Sequence, residues 1–285
     1  MPWMGFKNRL LFRITMKIFS WAFILLLFFC FKGTAQADGS KPKILKKEYR
    51  GFTLWLDCKT HHGAVAFHYK IGKDKKNIRK KNASYDFDRK VSVSCQPQTW
   101  RSYRTNTVDP LQGEWRRGTL VPSNHMDNSL AEIKETYYLT NTLPQNAILS
   151  RAIGAWYYSE MITECYRDIT PLEIWGGVIW GDNPDNDFFT VTHGLNTPDF
   201  WWKLIYRPDK KTYLAWIFPN HWSAKASKID SFLVSIETLE NTVEFMPDIG
   251  TLRTSPQAKL APTSTWPLVI SEDKLECEGK ETSSD

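Results

Sequence analysis

The chain has no Cys-x-x-Cys pair, no Walker-type phosphate loop and no Gly-x-Ser-x-Gly turn. These absences argue against a cysteine-held zinc centre, a P-loop nucleotidase and a serine-hydrolase elbow. Internal repeats are missing too, and glycine and proline are scattered, which points to one domain rather than an array. Only one long apolar run occurs, Ile18 to Phe31, and at 14 residues it falls short of the ~20 that span a bilayer. Overall positive charge is also scarcer than the formal +6 suggests. Five Lys and Arg lie within residues 1–37, which hold no acid, so the remainder is close to +1. Net basicity therefore says nothing about nucleic acid.

What is present begins with a secretory pattern. Lys7, Arg9, Arg13 and Lys17 precede the apolar run, and Ala35-Gln36-Ala37 fits a small-x-small cleavage site. Met16 is an alternative start, and an uncleaved anchor is the competing reading. Cleavage after Ala37 would leave 248 residues, secreted or periplasmic, with no membrane segment. Charge in that remainder is unevenly spread: residues 41–104 carry net +12 and residues 105–285 net −10. Such a split suits a polyanionic ligand or, equally, a solvated basic face opposite an acidic one. Cys58, Cys95, Cys165 and Cys277 allow three pairings, of which Cys58–Cys95 with Cys165–Cys277 is favoured because the first would brace the basic region.

Phe52–Leu56 and Ala64–Ile71 read as strands joined by a turn at His61-His62-Gly63, followed by a basic polar loop from Lys73 to Lys90 with a sequon at Asn82. Lys41–Arg50 reads as a charged lead-in. Thr136–Thr140 reads as a strand, Gln145–Arg167 as a whole or broken helix with Ile148, Ile153, Trp156 and Ile162 on its apolar face. Strands are expected at Ile174–Trp180, Phe200–Tyr206 and Tyr213–Phe218, with Gly176-Gly177 marking a bulge or close packing. Ser227–Glu240 reads as a helix, and residues 251–285 as an irregular acidic tail pinned by Cys277. Strands mixed with helices, without β-α alternation, make an α+β protein with an antiparallel sheet and flanking helices. Gly181–Asp187, although rich in Asp, lacks the glycine and closing Glu of an EF-hand and reads as a loop.

Trp115-Arg116-Arg117-Gly118-Thr119-Leu120-Val121-Pro122-Ser123-Asn124-His125-Met126-Asp127 is the most specific block. With it go Thr140-Asn141-x-x-Pro144-Gln145, Gly154-Ala155-Trp156-x-x-x-Glu160, Ile174-Trp175-Gly176-Gly177, Ile236-Glu237-x-Leu239-Glu240 and Phe245-x-Pro247. Together these resemble the DNA/RNA non-specific endonucleases of ββα-metal architecture, over about residues 45–250. The resemblance implies a hydrated Mg²⁺, a His that activates water, and an Arg that offsets charge on the phosphate. The family motif is Asp-Arg-Gly-His. Here Arg116 stands in the Asp position and Thr119 in the general-base position, while Arg117 keeps the phosphate-contact position. The metal-holding Asn falls on Ser150, or on Ala152 when counted back from Trp156, because two extra residues separate the landmarks. Glu160 matches the position that orients metal-bound water, and Asn141 and Arg151 are the remaining substrate-binding candidates. His125 fits the family's ordinary continuation and reads as structural. Two inserted residues turn a helix by about 200°, which would misdirect even a retained ligand unless a bulge absorbs the insertion.

Three functions stay open at this point. One is an exported, catalytically impaired nuclease relative that still binds nucleic acid. A second is an active metal-dependent endonuclease with a rearranged site, and the third a protein-interaction module.

Overall fold

The computed structural model describes residues 43–73, 76, 78, 84–103, 114–270 and 275–277. The secretory segment, its cleavage site and Asn82 lie outside the described residues. Elements run β1 Ile44–Glu48, β2 Thr53–Asp57, β3 Gly63–Ile71, β4 Trp115–Thr119, α1 Leu130–Thr136, β5 Thr142–Asn146, α2 Ala147–Ser150 and α3 Ala155–Tyr166. They continue with β6 Leu172–Ile179, α4 Thr190–His193, β7 Phe200–Arg207, β8 Thr212–Pro219, α5 Ile236–Thr242, β9 Leu268–Ile270 and β10 Leu275–Cys277. Short 3-10 turns lie between several of them.

Six strands form one antiparallel sheet in the order β1-β2-β3-β6-β7-β8. Its strands from β3 to β8 are largely buried on both faces, and β7 and β8 alone bury Trp201, Trp202, Leu204, Ile205, Leu214, Trp216 and Phe218. Burial on both faces explains why these strands read as continuous apolar runs rather than as alternation. Gly176 and Gly177 let β6 pass close to its neighbours. A methyl at Gly176 would stand 2.3 Å from the Phe67 ring, and one at Gly177 would stand 2.1 Å from the Val65 carbonyl oxygen. Close packing, not a bulge, is their role.

Three sequence expectations need correction. Lys41–Arg50 is not a mere lead-in: Ile44–Glu48 pairs with β2 as the sheet's edge, where exposed lysines discourage further strand addition. Thr136–Thr140 is no strand. Ser129 caps α1 by accepting from the Glu132 N–H at 3.2 Å, the helix runs to Thr136, and a tight turn follows. The 227–240 helix begins as a 3-10 turn over Ala226–Phe232, and only its second part, α5, is α-helical.

The segment after residue 250 is less irregular than its composition suggests. It carries the β9–β10 hairpin and returns along α3, where Tyr158 and Tyr166 donate to the carbonyls of Leu268 and Pro267. Cys165–Cys277 closes this arrangement and Cys58–Cys95 joins the end of β2 to the segment beyond β3, the favoured pairing. No helix among the described residues is long and apolar enough to cross a membrane.

Candidate functional site

β4 and β5 form a separate antiparallel ribbon in which Trp115 faces Asn146, Arg116 faces Gln145 and Thr119 faces Thr142. Gly118 is required here because a Cβ at that position would stand 2.4 Å from the Cβ of Gln145. Alternation puts Trp115, Arg117 and Thr119 on one side of β4 and Arg116 on the other. Arg116 is exposed, and Arg117 and Thr119 are half-buried. Pro144 is tolerated in β5 because the ribbon has only two strands and each is an edge.

The ribbon runs directly into a helix that breaks. Asn146 caps α2, its side-chain oxygen accepting from the Ile148 N–H at 3.0 Å, so this Asn is spent on the cap. α2 ends at Ser150, the chain extends at Arg151, and α3 begins at Ala155. The two additional residues therefore lie in the joint, not inside a continuous helix, and the expected 200° rotation of α3 does not arise. The joint has its own partners: the Ile153 carbonyl accepts from the Ala226 N–H at 2.8 Å, and Gly154 bridges Lys225. Ile153, expected on the apolar face, is 57% exposed.

The side chains singled out by sequence fall into different surroundings. Ser150 donates its hydroxyl to the Ala147 carbonyl at 3.3 Å. Arg151 reaches back to the Glu114 carboxylate, just ahead of β4. Arg117 donates to the Trp100 carbonyl at 2.8 Å and lies 4.2 Å above the Tyr85 ring, which ties the 85–100 segment to the ribbon. Asn141 is buried. It accepts from the Val121 N–H and donates to the carbonyls of Val121 and Thr136, pinning the chain just after β4. With every polar atom of its amide engaged, Asn141 has a structural task in this geometry rather than a substrate contact. His125 is fully buried, 2.8 Å from the Tyr69 hydroxyl and 3.5 Å from Glu164. Burial and the neighbouring Lys203 and Arg167 hold its imidazole neutral, well below the usual histidine range. It is not placed to take over a base's role at the surface.

Glu160 lies on α3 one turn after Trp156, over the sheet. Here the structure reveals a partner that sequence reasoning missed. Lys203 sits inside β7 with no exposed surface, its ammonium 3.7 Å from the Trp156 ring centroid and donating to the Ser159 hydroxyl at 2.9 Å. Burial holds the Glu160 carboxyl up at about 6, opposed by the charge of Lys203 and by a hydrogen bond from Trp156. Burial likewise pushes Lys203 down to about 8, with Glu160 opposing. The available signal was a single cation inside Trp201-Trp202-Lys203-Leu204-Ile205, since a lysine is almost never fully buried without a partner.

These donors do not suit Mg²⁺. Ser150, counted at the Asn position, offers a hydroxyl tied to its own helix through the Ala147 carbonyl in place of an amide oxygen, and the Glu160 carboxyl, raised to about 6, faces the charge of Lys203. Two guanidinium groups, of Arg116 and Arg151, flank the same ribbon. Among the described residues no group of three or more His, Cys, Asp or Glu converges.

Residues 33–252 match the family of DNA/RNA non-specific endonucleases. The chain belongs to that family. Its ββα unit is the β4–β5 ribbon with the broken α2–α3 helix, set against an antiparallel sheet. Among solved structures it is similar to a chain of the EndoG/EndoGI complex, with TM-score 0.54 and 15% identity over 71% of this chain and 84% of that one. NucA from Streptococcus agalactiae, a structure with a magnesium ion bound, gives TM-score 0.37 at 10% identity, covering 64% of this chain and 86% of its own. At such identities the first likeness shows a shared fold alone, and the second carries no argument. No curated protein matches the chain.

Proposed function

We propose that this exported endonuclease-family protein binds nucleic acid through its phosphates and has little or no capacity to cut it. The observation that carries the proposal is Thr119. The ribbon is intact and in register, yet the position that needs an imidazole holds an alcohol. An alcohol does not accept a proton from water near neutral pH, and loss of a general base removes about 10²–10⁴ in rate, some 2.7–5.5 kcal/mol of barrier. Ser150 and Arg116 act in the same direction, the first as a poor ligand and the second as a cation where the family has a carboxylate.

Binding is supported by what surrounds the ribbon. Arg116 is exposed, and the segment held by Arg117 presents Arg89, Lys90, Arg101 and the 56%-exposed Trp100. Exposed cations interleaved with an aromatic suit a sequence-tolerant grip on a polyanion.

Restoration tests the catalytic half. The triple variant Arg116→Asp/Thr119→His/Ser150→Asn is expected to nick plasmid DNA in Mg²⁺ while the unmodified protein does not. A salt series tests the binding half. A log–log slope near zero would remove the phosphate grip and leave a protein-interaction role.

A further inference from the structure

A cavity of about 400 Å³ opens at the start of β4, between Trp115, the 183–186 turn and the facing ends of β7 and β8. Its size falls in the range of small-molecule sites. Phe200, 39% exposed, and Pro219 give it apolar walls, and the His221 ring adds a polar edge. Its polar atoms are unequally used. Asn186 donates its amide nitrogen to Asp199 at 2.7 Å; a carboxylate only accepts, so the orientation of the amide is fixed. The Asn186 side-chain oxygen is then buried with no hydrogen-bond partner among the described residues. The indole N–H of Trp115, a residue only 6% exposed, is likewise unpartnered. Asp185 adds an exposed carboxylate.

We infer that this cavity takes one nucleobase bearing an exocyclic amino group, presented by a single-stranded part of the bound nucleic acid. The inference rests on the nucleic-acid reading above. A flat heterocycle fits apolar walls, an amino group supplies the donors that Asn186 and Asp185 lack, and a ring nitrogen or carbonyl accepts from Trp115. Adenine, cytosine and guanine offer such donor–acceptor pairs. Thymine and uracil instead present two carbonyl oxygens to the carboxylates. A bare cation is a poorer occupant, because Trp115, whose indole N–H is unpartnered, lines the cavity and Asp199 already accepts from the Asn183 N–H and from Asn186. The cavity is joined firmly to the ribbon. Asn220, on its wall, accepts from the Asn146 N–H and donates to the carbonyls of Pro144 and Pro198. Trp115 itself faces Asn146, roughly 13 Å along the ribbon from Thr119 at ~3.3 Å per residue. A base held there shares the face of the ribbon that carries Trp115, Arg117 and Thr119.

The test uses labelled oligothymidylate 12-mers, unaltered or with one central adenine, cytosine or abasic site, measured by anisotropy at fixed salt. The expected result is about tenfold tighter binding of the adenine and cytosine strands, reduced to within about twofold by Asp185→Asn or Trp115→Phe. Saturation-transfer NMR with free adenosine, cytidine and uridine separates the cavity from the phosphate grip. Signals for the first two alone, lost in Asp185→Asn, support the inference even when no oligonucleotide binds. Equal affinity for all four strands with no nucleoside signal overturns it while leaving the phosphate grip standing. Thermal stabilisation by Mg²⁺ or Ca²⁺ that vanishes in Asp185→Asn, without nucleoside binding, also overturns it, in favour of a cation site.

Discussion

Lys203 and Glu160 show what single side chains contribute beyond their motif positions. The buried ammonium of Lys203 and the half-buried carboxyl of Glu160 favour one another's charge, while desolvation resists both. Because Glu160 is raised from 4.5 to about 6 in the folded protein, the folded state keeps that proton longer than the unfolded chain. Its contribution to stability is full below about 4.5 and is lost as pH rises through about 6. Lys203, lowered from 10.5 to about 8, contributes the opposite slope: stability falls as pH drops from above 10.5 to about 8. Glu160→Gln is therefore expected to flatten the pH dependence of the unfolding midpoint between about 4.5 and 6. Lys203→Met, which removes the cation that opposes the burial of the carboxyl, is expected to lower the unfolding midpoint in urea, partly recovered in the double variant. An unchanged midpoint in Lys203→Met would mean that the two groups do not depend on one another. Thr119, Arg117 and Glu160 were picked out in the sequence by their motifs. The engagement of Arg117 with Tyr85 and Trp100, and of Glu160 with Lys203, was not, because those contacts join segments far apart in the chain.

Elements were legible where burial dominates. β2, β3, β6, β7 and β8 are rich in β-branched and aromatic residues, and the structure places them within a few residues of the expected bounds. The ribbon was not read as strands, since Trp-Arg-Arg-Gly-Thr is short and charged and β5 contains Pro144. The α2–α3 segment was left open between a whole and a broken helix because spacing along the chain cannot tell a helix insertion from a break. Since the Ile153 carbonyl accepts from the Ala226 N–H and the Ala155 N–H donates to the Ala224 carbonyl, deleting Ala152 and Ile153 is expected to destabilise the protein by about 1–3 kcal/mol, the net worth of two backbone hydrogen bonds. Ile153→Asp, at an exposed position, is expected to cost nothing measurable by the same thermal melt. Equal losses in both variants would mean that the side chain, not the backbone joint, matters. Removing the Cys165–Cys277 bridge with Cys165→Ala/Cys277→Ala is expected to cost about 2–5 kcal/mol. Proteolysis should then clip the segment beyond residue 260 before the sheet opens.

At the scale of the whole molecule, the fold of a nuclease family is present, and on the proposed reading it surrounds a centre whose acid–base and ligand chemistry has changed. The sheet, the tryptophan-rich core and both disulfides hold the ββα unit in place whether or not it turns over substrate, so retention of the fold says nothing about activity. The basic 41–104 region supplies both an edge of the sheet and the segment that wraps the ribbon through Arg117. Of its exposed cations, Arg89, Lys90 and Arg101 lie on the segment that Arg117 holds beside the ribbon. The decisive measurement is single-turnover cleavage of DNA and RNA by the unmodified protein, with excess enzyme, in Mg²⁺ and in EDTA. The account predicts a rate indistinguishable from that of Thr119→Ala and unaffected by the chelator. Brisk cleavage that EDTA abolishes would contradict it.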